Sequence, residues 1–292
     1  RVRRLDACGF TREEEDCLVE ALRALTNSII CQDGLWKKDA RKIEILQTKH
    51  RQILDSELSP VEKIYWLLEY CKRYGTLPFA GLARAGFIAV EFLRSMVAVG
   101  VLTEEERAAY LGSLATVGKN ISRDLSRLSR QAFLEKYGHL RPGTYDIRSP
   151  RYDQESRYFD TALPRQTAPD KAVFKLSLEQ FTRLQQLLEK HRLSADVLSL
   201  FAFIQQAIEG REYAKFVFTR TLSDVLELLA QLGEAYGLSR EEMSYVSIRR
   251  VMEFCSSAGD LGQVRGVSIR EGKAMVQAGS GVTLSSLLWE GG

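Results

Sequence analysis

The run from Tyr137 to Asp153, Tyr-Gly-His-Leu-Arg-Pro-Gly-Thr-Tyr-Asp-Ile-Arg-Ser-Pro-Arg-Tyr-Asp, places a histidine, arginines and tyrosines where helix propensity collapses. The imidazole of His139 stands among turn residues and could hydrogen-bond a substrate, while Pro142 and Gly143 restrict the backbone that carries Arg141, Tyr145 and Arg151. Ordered loops on a rigid scaffold often carry sites. The alternative is a helix-to-helix connection, with Gly138 in the left-handed position after a helix end and the arginines satisfying carbonyls. A second candidate is Arg84, the only charge in an apolar stretch rich in small residues from Gly75 to Phe87. A guanidinium in such surroundings needs an anionic or carbonyl partner, either a ligand or an acid of the core. The third is the polar block of Glu209, Arg211, Glu212 and Lys215, whose spacing puts them on one helical sector facing a ligand, the central loop or one another.

Other charged stretches read differently. Lys119, Arg123, Arg127 and Arg130 recur at helical steps and could bind phosphate or nucleic acid, but no aromatic accompanies them, which favours a solvated or interdomain face. The net charge of +3 is too mild to argue for nucleic acid. His50 and His191, each flanked by cations, read as surface residues. No HExxH, GxSxG, GxGxxG or GxxxxGK[ST] motif occurs, and no cysteine spacing suits a metal. Cys8, Cys17, Cys31, Cys71 and Cys255 form no Cys-x-x-Cys pair and read as buried, reduced thiols of a cytoplasmic protein. The chain opens on Arg1 with no signal peptide, which suggests a piece of a longer polypeptide. Phe79 to Val99 is strongly apolar but carries Arg84, Glu91 and Arg94, so it is expected to be a core helix rather than a membrane span.

The elements that must position these residues are helices. Thr11 with Glu14 predicts a capping box ahead of Leu18, Leu22, Leu25 and Ile29, and a second helix runs from about Leu35 to Leu54. Ser59-Pro60-Val61-Glu62 starts a third that ends at Gly75, and Gly100 stops the one that follows. Thr103 opens a long helix to about Tyr137. Pro142, Pro150, Pro164 and Pro169 mark a long connection from Arg141 to Asp170. Ser177, Ser194 and Ser239 begin further helices, with another over Leu222 to Tyr236. Beyond Gly259, Val264, Val267, Ile269, Met275 and Val276 among glycines suggest short strands or an extended tail, and Leu284, Leu287, Leu288 and Trp289 form an apolar end.

The run Phe133-Leu134-Glu135-Lys136-Tyr137-Gly138-His139-Leu140-Arg141-Pro142-Gly143-Thr144-Tyr145-Asp146, with Ser149-Pro150-Arg151-Tyr152-Asp153 after it, resembles the central helical region of phosphoenolpyruvate synthase-like proteins. That family groups phosphoenolpyruvate synthases, pyruvate phosphate dikinases and rifampin phosphotransferases. Leu77-Pro78-Phe79-Ala80-Gly81-Leu82-Ala83-Arg84 and Arg211-Glu212-Tyr213-Ala214-Lys215-Phe216 look like the same source, so the resemblance runs through most of residues 60–255. It implies an ATP-grasp domain and a swivelling domain whose histidine carries phosphate from ATP to an acceptor. In rifampin phosphotransferases the helical region binds that acceptor. None of His50, His139 or His191 lies in the Gly-Gly-x-x-[Ser/Cys]-His setting of the swivelling histidine, and no ATP-grasp segment is present.

The resulting expectation is a mainly α, irregular multi-helix fold with a long central loop and a small extended or β C-terminal segment. Its parts are an N-terminal helical lobe over 1–140, the Pro/Arg-rich loop over 141–170, a C-terminal lobe over 171–258 and a tail over 259–292 leading to a further domain. By resemblance the chain is the middle of a modular phosphotransferase, inactive alone, with no cofactor or metal of its own. ATP and Mg would belong to the ATP-grasp and phosphohistidine domains of the parent. A small-molecule acceptor is the implied ligand, with neither nucleic acid nor membrane as partner. The implied contacts are Arg84, His139, Arg141, Tyr145, Arg151, Arg211 and Lys215, none of them catalytic. The arginines would grip carboxylate or phosphoryl oxygens and Lys215 would act as a point charge. The alternative is a non-catalytic helical protein-interaction domain.

Overall fold

The computed structural model describes residues 9–31, 33–155, 174–256 and 267–280. Among these residues every regular element is helical and there is no strand. In chain order they are α1 (Arg12–Ile30), α2 (Leu35–Leu54), α3 (Pro60–Cys71), α4 (Leu77–Ala98), α5 (Glu104–Ser113), α6 (Val117–Arg127) and α7 (Arg130–Tyr137). Then come α8 (Leu178–Lys190), α9 (Val197–Ala235), α10 (Arg240–Met243), α11 (Ile248–Ser256) and α12 (Val267–Ser280). The predicted start signals act as such: Thr11, Thr103, Ser177 and Ser239 each form a reciprocal capping box with the acid or amide three residues on. Ser59 does the same with Glu62, through a 2.9 Å bond from its amide and a 3.4 Å bond to its hydroxyl. Gly100 and Gly237 both end helices with φ of +68°, a conformation that favours glycine.

Five boundaries differ from the sequence-based expectation, one being that α9 starts at Val197, with Asp196 and not Ser194 accepting from the Ser199 amide at 2.8 Å. α3 does not end at Gly75; it passes through a π-helical turn, Lys72–Thr76, straight into α4. Pro78 lies in the first turn of α4, where its missing N–H costs least, and the wide turn absorbs the offset. The helix expected from Thr103 to Tyr137 is three helices, because contacts distant in sequence break it. Lys119 Nζ donates to the carbonyls of Leu111, Gly112 and Leu114 at 2.8, 2.7 and 3.2 Å, and Glu209 and Glu212 accept from the amides of Ala115 and Val117 at 2.8 and 3.1 Å. Conversely, α9 is one helix where a separate one was expected to start at Leu222. No glycine or proline interrupts Arg211 to Leu232, and the polar block is a change of neighbours rather than a break. Finally, Val267–Ser280 is α-helical, so the expected strand or extended tail is wrong there; Ile269, Lys273 and Val276 recur at helical spacing and the glycines are tolerated. Val264 and the segment from Leu284 to Trp289 lie outside the described residues.

The chain forms two compact units, each assembled from three stretches, so a division by position along the chain does not coincide with them. One comprises residues 1–47, 72–130 and 161–218. Its buried residues include Ile43 and Leu46 of α2, Leu82, Ala85, Ala89 and Leu93 of α4, and Leu200, Ile204 and Ala207 of α9. Trp36 meets Phe203 edge-on at 6.0 Å, Phe79 packs on Phe218, and the Tyr110 hydroxyl donates to the Phe201 carbonyl at 3.1 Å. The other comprises residues 48–71, 131–160 and 219–292. In it Ile64 and Leu67 of α3 pack with Val225 of α9, and Ile147 of the loop packs with Ala230, Leu238, Met243 and Ile269.

Cys71 is buried, and burial pushes its thiol up to about 12, whereas Cys17 is exposed, contrary to expectation, because most of α1 is solvent-facing. The continuous helical stretch Pro60–Ala98 is long and apolar enough, by length and composition, to cross a membrane, and a third of its most apolar window (33%) is buried.

Gly138 is not in the left-handed region, as expected from its place after a helix; it is small because space is short. A Cβ there would collide with the Leu134 carbonyl oxygen and stand 3.0 Å from Asp153 Cβ. Gly138→Ala is therefore expected to cost about 1–3 kcal/mol through overpacking, measured as a drop in the urea midpoint. A midpoint within error of the parent's would show that the turn relaxes freely.

Candidate functional site

The loop that follows α7 folds onto the C-terminal half of α9 within the second unit. The fold there is dictated by two acids on an apolar helix. Asp224 and Glu227 stand among Leu222, Val225, Leu226, Leu228 and Leu229, and carboxylates in such company require cations. The loop supplies them. Arg141, whose side chain is 1% exposed, donates from Nη2 to Glu227 Oε1 at 2.9 Å and to the Ser223 carbonyl and hydroxyl at 3.2 and 3.1 Å. Its Nη1 donates to the carbonyls of Asp146 and Ser149 at 3.3 and 3.0 Å, and its Nε reaches Ser223 Oγ at 3.3 Å. A guanidinium has five N–H groups, and here each of its nitrogens is engaged within the fold. Ser223 in turn donates to the His139 carbonyl at 2.6 Å, which ties both ends of the turn to one residue of α9.

A second ion-pair group adjoins the first along the helix. Arg151 donates to Asp224 Oδ1 at 2.6 Å and makes a forked contact with Asp153 at 3.0 and 2.7 Å. His50 Nε2 lies 2.7 Å from Asp224 Oδ2. Since Asp224 is an acceptor when ionised, this nitrogen carries the proton. Arg240 completes the set by pairing with Glu227 at 3.1 and 2.7 Å, and Gln154 Nε2 donates to Glu227 Oε2 at 2.7 Å.

The electrostatics follow from this pairing. Burial works to raise the Asp224 carboxyl, but the His50 bond and the Arg151 charge outweigh it and hold it below the usual range. Burial also opposes ionisation of Glu227, yet Arg240, Gln154 and Arg141 bring it down to about 2. At His139 the Asp224 carboxylate favours the charged form, but the low dielectric and the neighbouring cations outweigh it. Burial first, then the Arg220 and Arg151 charges, pushes its imidazole down to about 3, so it is neutral at physiological pH.

Of the residues expected to form a contact site, His139, Arg141, Tyr145 and Arg151 come together in this loop. His139 and Arg141 are buried, Arg151 is half-buried, and Tyr145 alone is exposed, at 62%. Arg84, Arg211 and Lys215 belong to the first unit. Arg84 is exposed, so its guanidinium reaches the surface instead of lying buried beside an acid of the core. Arg211 lies over the Phe87 ring at 5.1 Å from its centroid, beside Gly86, where the missing side chain makes room for its stem. Lys215 is exposed. Glu209 and Glu212 act as helix-start acceptors for α6, as described above. His50 was expected at the surface and is instead buried, because the partner that makes burial tolerable, Asp224, is remote in sequence. His191 is exposed as expected.

Sequence reasoning missed Ser223, Asp224, Glu227, Arg240 and His50. The available signal was the pair of acids within the apolar run Leu222 to Leu232. Among the described residues no group of three or more His, Cys, Asp or Glu side chains is placed to hold a metal ion. Arg123 and Arg127 of the basic stripe are exposed. Comparison of the chain with family models, curated proteins and solved structures finds no match.

Proposed function

We propose that the chain is the helical positioning domain of a phosphoenolpyruvate synthase-like phosphotransferase, contributing no catalytic group and holding an acceptor or a docked phosphohistidine domain. The family part of this reading rests on the resemblance of the Tyr137–Asp153 loop and its two companion segments. The observation that carries the positioning role is the engagement of Arg141 by Ser223, Glu227 and two loop carbonyls. A loop held this way is a rigid platform, and it offers Tyr145 outward from a fixed base. Arg84 and Lys215 are the exposed cations of the expected set in the first unit. ATP and Mg would act on other domains of the parent.

The same internal pairing favours a second reading, a helical interaction domain outside any phosphotransferase, since Arg141 and Arg151 already have protein partners. An immunoblot of native extract with an antibody to this chain, followed by ATP-dependent labelling of the purified product, separates the two. The expected result is a band far above 33.1 kDa that forms phosphohistidine, with Tyr145→Ala raising the acceptor KM while phosphohistidine formation is unchanged. A band at 33.1 kDa with no labelling would hand the case to the interaction domain.

A further inference from the structure

The pair of His50 and Asp224 is held more firmly than a simple ion pair needs. One carboxylate oxygen of Asp224 lies 2.7 Å from His50 Nε2, and Arg151 grips the other at 2.6 Å. Arg151 is itself forked on Asp153, so the carboxylate is fixed through both oxygens and orients the imidazole. With the proton on Nε2, the lone pair stands on Nδ1. Among the described residues this Nδ1 has no hydrogen-bond partner, yet it is not sealed from solvent, and His50 as a whole is 7% exposed. His139, by contrast, has both ring nitrogens sealed. An imidazole that gives one N–H to a fixed carboxylate and keeps a lone pair open on the other nitrogen is arranged as a metal ligand or as a nucleophile. No group of three or more metal-ligating side chains surrounds it among the described residues, which leaves the nucleophile. Its surroundings are cationic. Lys49 and Arg51 flank it in the chain, and the exposed Arg220 stands one turn before Asp224 on α9, with Nη2 on the Glu135 carbonyl at 3.4 Å. The charges of Arg220 and His50 both act on His139, so the three share one neighbourhood. An electrophile that is itself an anion suits such a place.

We propose that His50 is a phosphoryl-accepting modification site, phosphorylated at Nδ1 by small donors with a good leaving group, such as phosphoramidate or an acyl phosphate. This reactivity belongs to the imidazole and its carboxylate, and is independent of any phosphotransferase parent. The Nδ1 lone pair attacks phosphorus and a P–N bond forms. The bond from phosphorus to the leaving group breaks, and its electron pair departs with that group, as ammonia in the case of phosphoramidate. Nε2 keeps its hydrogen throughout, and Asp224 stabilises the positive charge that the ring acquires. Arg220 contributes positive charge on the sector of α9 that Asp224 shares, in favour of the incoming phosphoryl oxygens.

The test is incubation of the full 292-residue chain with phosphoramidate, followed by mass spectrometry of the peptides that hold His50, His139 and His191. His191 is exposed and serves as the unassisted imidazole in the same tube. His50 is expected to take up phosphate at least about tenfold faster than His191 despite its far smaller exposure, with His139 unlabelled. In concentrated urea, where Asp224 no longer orients the ring, the rates at His50 and His191 should converge. Asp224→Asn should slow His50 at least about tenfold and leave His191 unchanged, with circular dichroism reporting that the helices are retained. Should D224N misfold, the comparison of native and urea-unfolded parent chain gives the same reading. A native His50 labelled no faster than His191 overturns the proposal, as does a lead that persists in urea or a folded D224N variant labelled at the parent's rate.

Discussion

Arg141→Ala will lower the stability of the second unit by about 3–5 kcal/mol, the largest effect of any single substitution in the loop. The cost is not that of one ion pair. Truncation leaves the carbonyls of Asp146, Ser149 and Ser223 without the donor that served them, and it removes one of the two arginines that neutralise Glu227. Arg240 remains on Glu227, which keeps the loss from exceeding that range. Arg141→Lys retains the charge but cannot span Ser223, Glu227 and the loop carbonyls at once, so it should recover less than half of the loss. Urea unfolding followed by fluorescence of Trp66, which belongs to the same unit, gives the magnitude, and amide exchange in α9 gives the location. A loss below about 1 kcal/mol would mean that the loop holds its place without the latch. The arginine would then be available to a ligand, as first expected.

Acid will destabilise the chain well above the usual carboxylate range, and His139 is the reason. Its ordinary value of 6.5 applies in the unfolded chain, whereas burial takes it down to about 3 in the folded one. A depressed value means that the unfolded state takes up the proton first. The stabilising difference is complete above pH 6.5 and is lost as pH falls towards 3, by about 2–3 kcal/mol at pH 4.5. Glu227 adds a second, lower window. Its folded value of about 2 against an ordinary 4.5 confers stability above pH 4.5 that disappears as pH falls towards 2. The two windows are separable by mutation. His139→Leu should flatten the slope of stability between pH 6.5 and 4.5 while leaving the lower limb, and Glu227→Gln should do the reverse at a cost in stability near neutrality. Urea midpoints at half-unit steps of pH supply the curve. An unchanged slope in the upper window after His139→Leu would show that the imidazole is protonated in the folded state, and the burial argument would be wrong.

The helices and their starts were legible because their causes are local. A hydroxyl with an acid or amide three residues on can cap a helix from local sequence alone, and Thr11, Ser59, Thr103, Ser177 and Ser239 all do so here. The mainly α class followed from the same short-range periodicity. What failed were boundaries decided by partners far along the chain. The breaks after Ser113 and before Val117 depend on carboxylates of α9, and the run of α3 into α4 depends on a wide turn that no composition announces.

The loop illustrates both sides. Its glycine, prolines and arginines identified it as a constrained feature, although Ser223 and Glu227 of α9 hold its turn as well as its own residues do. The destination of each charge was another matter. A guanidinium in a sequence looks equally fit for a ligand or for a carbonyl, because the difference lies in which acceptors the fold brings within 3 Å. Arg141 and Arg151 found theirs on α9, and His50 lost its solvent to Asp224, at separations no periodic pattern spans. Thus sequence by itself determined the helical elements, their caps and the position of the constrained loop, since neighbouring residues suffice for those. Only the tertiary structure decided that the loop's arginines are pinned by Ser223, Asp224 and Glu227 while Tyr145 faces outward, because burial and pairing of charge are properties of the assembled unit.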